Sequence, residues 1–251
     1  MESLVGKLAH ACKVVRPGKT FLRHLYQKLS QTAQPYHHIS FNMPVRSDLM
    51  WWALFLRSWN GVSILREYGG PQQFSNEIWT DASGTFGCGA VWGKRWLQAS
   101  WSSMYKNGLG EVGEDGITLK ELVPIVVACA VWGPQWRQSS ALVHCDNEGA
   151  VTVVNSGYSK VEKMMHLLHC LFFIRAQFSM EVKAIHVPGK YNGLVDAISC
   201  NNLSVISSQI PEAAAKKEVI PKKLVKLLMK ERPDWTSATW SQLFANCFQQ
   251  E

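Results

Sequence analysis

Four acidic residues occur in settings that could bring them to one site. Asp81 in IWTDASG and Asp146 in LVHCDNEG each follow a short apolar run of the strand type. Glu121 in ITLKEL and Asp196 in NGLVDAIS lie in helical patterns. An acid at the carboxyl end of a buried strand projects into the crevice where α/β folds bind their ligands. The sequence therefore predicts a carboxylate cluster built from two strands and two helices.

The chemistry that suits such a cluster is metal-dependent phosphodiester hydrolysis. Hard oxygen ligands without His or Cys favour Mg²⁺ or Mn²⁺ over zinc. Two such ions, roughly 3.5 to 4 Å apart, can activate a water and stabilise the leaving oxygen. Any one of these acids alone is better interpreted as a surface, turn or cap residue, and Asp146 before Asn147 also fits a helix N-cap pattern. The four acids in order, with matching local patterns, favour the two-metal interpretation.

Alternating and helical patterns around the acids predict a layered α/β domain. Three strands at 77–81, 86–92 and 95–101 form an antiparallel meander, and Pro124 is expected to kink the long helix that follows. The remaining pattern predicts a helix at 118–132, a strand at 141–145, helices at 147–155 and 161–178, a strand at 181–187 and a last helix beginning near Asn192. Strands with helices on their faces give an α/β architecture.

Helical spacing also dominates the first part of the chain. Apolar positions at 3–15 and 19–30 predict a helical hairpin, and a tryptophan-rich helix follows with Ser47 as its cap. Residues 201–221 are rich in Ser, Asn, Ala and Lys, which indicates a linker with little burial. Two short amphipathic patterns, 222–230 and 236–248, complete the tail. They are interpreted either as the start of a downstream module or as a C-terminal helix docked on the core.

The order of these motifs resembles that of ribonuclease H domains. It is most similar to the ribonuclease H of retrotransposon reverse transcriptases, and within those to the DIRS-type, tyrosine-recombinase elements. The matching segments are TDASGTFGCGAVW (80–92), LKELVPIVVACAVWG (119–133), VHCDNEGAVTVVNSGYSK (143–160) and HVPGKYNGLVDAIS (186–199), about half of the chain. Residues 3–30 resemble the thumb or connection region that precedes ribonuclease H in these enzymes.

The resemblance implies both a fold and an activity. The fold is an α/β, ribonuclease H-like five-stranded mixed sheet flanked by helices, with an N-terminal helical extension and a C-terminal helical tail. The domains are a thumb or connection-like segment (1–70), the ribonuclease H-like domain (75–200), and a linker with a short helical tail (201–251). The activity is metal-dependent endonucleolytic hydrolysis of the RNA strand of RNA-DNA hybrids, with two Mg²⁺ or Mn²⁺ ions.

The resemblance also implies a role for each acid. Asp81 bridges the two ions, Glu121 and Asp146 complete the site for the ion on the leaving-group side, and Asp196 holds the ion next to the attacking water. On the substrate side, the same resemblance points to Ser83, Gly84 and Asn147 as contacts to the RNA strand.

Several basic residues are candidate phosphate contacts, although a surface Lys or Arg is more often plain solvated charge. Lys160 is the candidate that we retain as a substrate-binding residue. The others are Lys94, Arg95, Arg137 and Lys163.

Two departures from the family pattern bear on activity. The loop at 188–191 lacks the histidine that many ribonucleases H carry there, and His186 before it is expected to be a packed, hydrogen-bonded strand residue. Cys200 in DAISC replaces a common arginine. The alternative function is therefore a weak or inactive retroelement remnant that binds nucleic acid or a polymerase partner. Polymerase activity is not expected, because the sequence has no Tyr-x-Asp-Asp type motif.

The bulk composition fits an intracellular partner of nucleic acid. A net charge of +7 favours a polyanionic partner, although it also aids solubility. Seven cysteines without a C-x-x-C pair indicate reduced thiols, in the cytoplasm or nucleus. No uninterrupted apolar stretch reaches about 18 residues, so no membrane span is expected.

Overall fold

Five strands form one mixed sheet in the computed structural model, which describes residues 1–31, 39–58, 74–108, 116–210 and 217–229. The strands are β1 (Asn76–Ala82), β2 (Gly87–Trp92), β3 (Arg95–Ser100), β4 (Ser140–Cys145) and β5 (Glu181–His186). Their order is β3-β2-β1-β4-β5, with β1 to β3 antiparallel and β4 and β5 parallel to β1. The α/β, ribonuclease H-like fold class expected from the sequence is confirmed.

Helices cover both faces of this sheet, and further helices precede and follow it within the described residues. They are α1 (Glu2–Ala11), α2 (Arg23–Ser30), α3 (Met43–Ser58), α4 (Trp101–Gly108), α5 (Ile117–Trp132), α6 (Glu148–Ser156), α7 (Glu162–Phe178), α8 (Gly193–Ser199), α9 (Ser204–Gln209) and α10 (Lys222–Leu228). Short 3-10 helices occupy Arg16–Leu22, Gly133–Trp136 and Gly189–Tyr191. The sequence pattern does not anticipate α4.

The central helix α5 is apolar on nearly all sides, which is the pattern of a helix buried on all sides. It packs on the face of the sheet that carries Ile78 and Val143, and it continues through Pro124. Among the described residues, Ile117–Trp136 is one stretch long and apolar enough to cross a membrane by length and composition. Because 78% of that window is buried inside the protein, it is accounted for as the core helix of the domain.

The N-terminal helices pack on α7 through a second, aromatic cluster. Phe21 stacks on Trp51 with ring centroids 3.8 Å apart, and Trp51 meets Phe172 of α7 edge to face at 4.5 Å. The expected helical hairpin is present, but α3 begins earlier than predicted. Asn42 Oδ1 accepts from the backbone N–H of Val45 at 3.2 Å, so Asn42 caps the helix and Ser47 lies inside it.

The C-terminal segment contacts the domain at several points. Ile206 on α9 is only 2% exposed, and α10 inserts Leu224 and Leu228 into the same core as α5. Lys217 forms a parallel bridge with Trp96 of β3, the edge strand. Of the two interpretations of the tail, docking on the core is observed for residues 217–229, whereas the second helical pattern (236–248) lies outside the described residues.

Candidate metal centre

Asp81 lies near the carboxyl end of β1 and is almost fully buried, at 4% exposure. Ser199 Oγ donates to its Oδ2 at 2.5 Å, and Asn192 Nδ2 donates to its Oδ1 at 3.2 Å. Burial raises the pKa of Asp81 to about 6, the two donors oppose that rise, and repulsion from Asp146 and Asp196 adds to it. The carboxylate is thus fixed in orientation and crowded by other acids.

Glu121 enters the same site from the first turns of α5. Its Oε1 accepts from the backbone N–H of Ala82 at 3.2 Å, and its Oε2 accepts from the thiol of Cys145 at 3.8 Å. Burial raises the pKa of Glu121 to about 9, and repulsion from Asp81 and Asp146 contributes. A carboxyl group this buried ionises readily only when a positive charge compensates it.

The other two acids complete the site on its more open side. Asp146 follows β4 directly and is partly buried, and Asp196 is exposed on α8. Burial raises the pKa of Asp146, with Asp196 adding repulsion and His186 opposing it. Contacts gather the four acids in one cluster. Glu121 bonds the backbone next to Asp81 and has ligand atoms within 4.8 Å of those of Asp146. The helix that carries Asp196 bonds Asp81 through Ser199. The structure brings the four acids together, and their catalytic and metal-binding roles remain predictions.

The side chains that could act as metal ligands in this site fit Mg²⁺ or Mn²⁺. Ligand atoms of Glu121, Cys145 and Asp146 lie within 4.8 Å of one another. The sequence does not point to Cys145, whose buried thiol has its pKa raised to about 12 and donates to Glu121. The atoms available as metal ligands are therefore carboxylate oxygens, which these hard cations prefer. A divalent cation would also offset the repulsion that raises the carboxyl pKa values.

One row of paired residues across the sheet supports α8, the helix that carries Asp196. Asp81 pairs with Gly89 of β2, and Gly89 pairs with Gln98 of β3. A Cβ atom on Gly89 would lie 2.6 Å from Ile198 Cγ2, so α8 lies against the bare backbone at this position. Gln98 Nε2 donates to the carbonyl of Ile198 at 2.7 Å. The contacts of Gly89 and Gln98 with Ile198 therefore set the distance between α8 and the sheet.

Hydrogen bonds fix the conformation of the β1–β2 turn, where two RNA contacts are predicted. Ser83 Oγ accepts from the backbone N–H of Phe86 at 3.0 Å, and Trp101 Nε1 donates to the carbonyl of Ser83 at 2.8 Å. Lys120 Nζ donates to the carbonyl of Gly84 at 2.7 Å. Ser83 is buried and Gly84 is exposed. The turn thus presents backbone beside Asp81, and substrate contact by these two residues stays a prediction.

Asn147 and Lys160, the other predicted substrate residues, have structural contacts of their own. Asn147 Oδ1 accepts from the backbone N–H of Ala150 at 2.9 Å, so Asn147, and not Asp146, caps α6. Lys160 is exposed, and its carbonyl accepts from Arg23 at 3.1 Å. The hydrogen bond from Arg23 involves the backbone of Lys160 and not its side-chain ammonium group. Substrate binding by both residues stays a prediction.

Three of the basic candidates lie away from the acids. Arg95 begins β3 beside Trp92, at the opposite end of the sheet from Asp81, and its guanidinium pairs with Glu218 at 2.5 Å. Lys94 precedes it in the same turn. Arg137 precedes β4, again at the far end, and lies over the Phe178 ring at 5.2 Å. Lys163 is exposed in the first turn of α7. The strand directions therefore separate Lys94, Arg95 and Arg137 from the cluster.

Sequence reasoning overlooked the residues that orient the acids. Asn192 and Ser199 both hold Asp81, and they lie four residues before and three residues after Asp196. That spacing places all three near one face of adjoining helical turns, a signal that NGLVDAIS does contain. His186 is hydrogen-bonded as expected, through Nε2 to the Asp146 carbonyl at 3.2 Å, but it is exposed and not packed.

Comparisons with known proteins give a distant structural similarity that does not decide the fold. No family model matches the chain, and no curated protein matches it. A solved foamy viral protease-reverse transcriptase in complex with an RNA/DNA hybrid is similar to it, with a TM-score of 0.37 and 12% sequence identity over 70% of this chain. This chain spans 28% of that reverse transcriptase. The fold assignment therefore rests on the sheet order and strand directions.

Proposed function

We propose that this protein is a divalent-metal-dependent nuclease that hydrolyses the RNA strand of RNA-DNA hybrids. The observation that carries the proposal is the position of four carboxyl groups, which come from four separate elements and lie beside the carboxyl ends of β1 and β4. Asp81 and Glu121 are buried, and buried acids that repel their neighbours lower stability, so the cluster is better explained by a ligand than by folding.

Each acid has a proposed role that matches its surroundings. Asp81, held on both oxygens by Ser199 and Asn192, would bridge two ions. Glu121 and Asp146 would serve the ion on the leaving-group side, and the exposed Asp196 would serve the ion beside the attacking water. When bound, the two cations supply an activated water and charge stabilisation for the leaving oxygen.

The choice of substrate rests on the motif resemblance together with the surface beside the acids. Gly84 is the exposed residue of the β1–β2 turn and offers space beside Asp81 for contact with a sugar. The 2′-hydroxyl in a shallow minor groove distinguishes RNA from DNA. The net charge of +7 supports binding of a polyanion. The resemblance of residues 3–30 to a connection region supports a reverse transcriptase polymerase as a partner.

Cleavage of matched substrates tests this proposal. The protein is incubated with a labelled RNA-DNA hybrid, RNA duplex, single-stranded RNA and DNA duplex in Mg²⁺ or Mn²⁺, with EDTA as a control. We expect cleavage of RNA in the hybrid alone, abolished by EDTA. Asp146→Asn is the matched variant, because α6 is capped by Asn147 and the substitution leaves that cap in place.

Two results would contradict parts of this proposal, the first the assigned site and the second the activity. One is Asp146→Asn cleaving at the parental rate, which would remove that acid from the site. The other is tight hybrid binding without cleavage in either metal, which would favour the retroelement remnant.

A further inference from the structure

The C-terminal segment 217–229 is fixed against the edge of the sheet. The backbone N–H of Glu218 donates to the carbonyl of Trp96 at 2.8 Å, and the Glu218 carboxylate pairs with Arg95. Beyond it, α10 buries Leu224 and Leu228 in the main core. Lys217, at the start of this segment, forms a bridge with Trp96 and is therefore fixed against β3.

The ammonium group of Lys217 donates a hydrogen bond to the buried side-chain amide of Gln98. Lys217 Nζ donates to Gln98 Oε1 at 3.1 Å and lies 5.5 Å from the centroid of the Trp96 ring. Gln98 is only 8% exposed, and its Nε2 donates to the carbonyl of Ile198 at 2.7 Å and to Asn201 Oδ1 at 3.2 Å. Because a charge-assisted donor holds the amide oxygen, the amide N–H₂ group points in one direction.

The acceptors of that amide lie at the end of α8. Ser199, the residue after Ile198, donates to Asp81 Oδ2, and Asp196 lies one turn earlier on the same helix. Hydrogen bonds on either side of the covalent Ile198–Ser199 link thus join the C-terminal segment to the proposed metal site. They run from Lys217 through Gln98 to the last turn of α8, and from Ser199 to Asp81.

We infer that Lys217 and Gln98 are positioning residues, through which the C-terminal segment sets the placement of Asp81 and Asp196 for metal binding. This inference rests on the proposed function, because it concerns the same acids. Residues that orient metal ligands typically contribute about 10- to 100-fold to metal affinity. Lys217 acts on the acids through Gln98 and α8, so its contribution to metal affinity is expected at the lower end of that range.

Three single variants of the full chain test the inference. Lys217→Met removes the donor, Lys217→Arg retains one, and Lys222→Met changes an exposed lysine on α10 of the same segment. The readouts are Mn²⁺ affinity by calorimetry, thermal unfolding, and the Mg²⁺ dependence of hybrid cleavage. We expect Lys217→Met to weaken Mn²⁺ binding about tenfold, and Lys217→Arg to restore most of that loss. Lys222→Met should bind as the parent does.

The variants separate positioning from support of the fold. Equal Mn²⁺ affinity for Lys217→Met and Lys222→Met, with or without a lower melting temperature for Lys217→Met, would overturn the inference. Gln98→Leu is a fourth variant, and a folded Gln98→Leu protein with parental Mn²⁺ affinity would also overturn the inference. A parent that binds Mn²⁺ but does not cleave hybrid would defeat the proposed function alone, since the affinity comparison would still decide the positioning role. A parent that binds no Mn²⁺ would defeat both.

Discussion

Ser199 Oγ donates to Asp81 Oδ2 at 2.5 Å, and this bond ties the last turn of α8 to the end of β1. The two residues are 118 positions apart in the chain. Both are nearly inaccessible to solvent, so the bond is not weakened by competing water. The same hydroxyl lowers the pKa of Asp81 against the rise that burial causes. Ser199 therefore has an electrostatic effect on the site as well as a structural one.

Replacement of Ser199 by alanine should make metal binding more sensitive to acid. Because the lost hydrogen bond favours ionised Asp81, the pKa of Asp81 in Ser199→Ala should rise above its parental value of about 6. The midpoint of Mn²⁺ binding against pH should move to higher pH. Calorimetric titration at a series of pH values measures this shift, with Ser207→Ala on α9 as the control. An unchanged midpoint would show that Ser199 does not tune Asp81.

The metal-free protein should lose stability as the pH rises. The pKa of Glu121 is raised from 4.5 to about 9 by folding, so the folded state binds more protons than the unfolded state between those values. Stability is then highest near the lower value and falls toward the upper one, by at most about 1.4 kcal/mol per pH unit for one group. Asp81, with its pKa raised to about 6, adds to the fall at the acidic end.

Glu121→Gln should remove much of this pH dependence. Urea unfolding in EDTA at about pH 5, 7 and 9 measures it, and Glu162→Gln at an exposed position of α7 is the matched control. Mg²⁺ should also flatten the profile of the parent. Stability that rises over this range, or an equal slope in parent and Glu121→Gln, would contradict the assigned burial of Glu121.

Local patterns predict the elements that carry the acids, because the two strands are marked by apolar runs and the two helices by helical spacing. IWTD and LVHCD indicate strands that end in an acid, and both strands are observed with nearly the predicted bounds. Gln98 gives no such signal, since a polar residue in an edge strand is ordinarily solvated. Its role depends on α8 and Lys217, which are about 100 and 119 residues away in sequence. The docking of α10 depends on a tertiary contact of the same kind.

The basic residues show a second limit of sequence reasoning. Lys94 and Arg95 lie near Asp81 in the sequence, which makes them plausible phosphate contacts. The antiparallel turn from β2 to β3 nevertheless carries them to the opposite end of the sheet. Strand direction, which charge patterns do not report, decides on which side of the domain a residue lies.

Gly89→Ala should disturb both stability and metal binding. The added Cβ would lie 2.6 Å from Ile198 Cγ2, so α8 must move away from the sheet. Overpacking of this kind costs about 1 to 3 kcal/mol, and the displaced Ser199 and Asp196 should weaken Mn²⁺ binding. Denaturant unfolding and calorimetry measure the two effects, with Gly6→Ala as a control at a position open to a Cβ. Parental stability and affinity in Gly89→Ala would show that α8 is not constrained by this row.

Leu224→Ala tests whether the folded unit extends past the predicted boundary at residue 200. Leu224 is fully buried in the core that contains α5, so truncation should cost about 2 to 5 kcal/mol. Lys223→Ala, on the exposed side of α10, should change stability by less than about 0.5 kcal/mol. Equal unfolding free energies for the two variants would mean that α10 is a detachable tail.

The most direct test of the central claim is the location of Mn²⁺ in crystals of the protein, by anomalous scattering. We predict two peaks among the carboxylates of Asp81, Glu121, Asp146 and Asp196, with Asp81 contacting both. Crystals of Asp146→Asn should lose at least one of them. Peaks elsewhere, or none among these four acids at Mn²⁺ concentrations well above those that support hybrid cleavage, would contradict the assignment of the cluster as a two-metal centre.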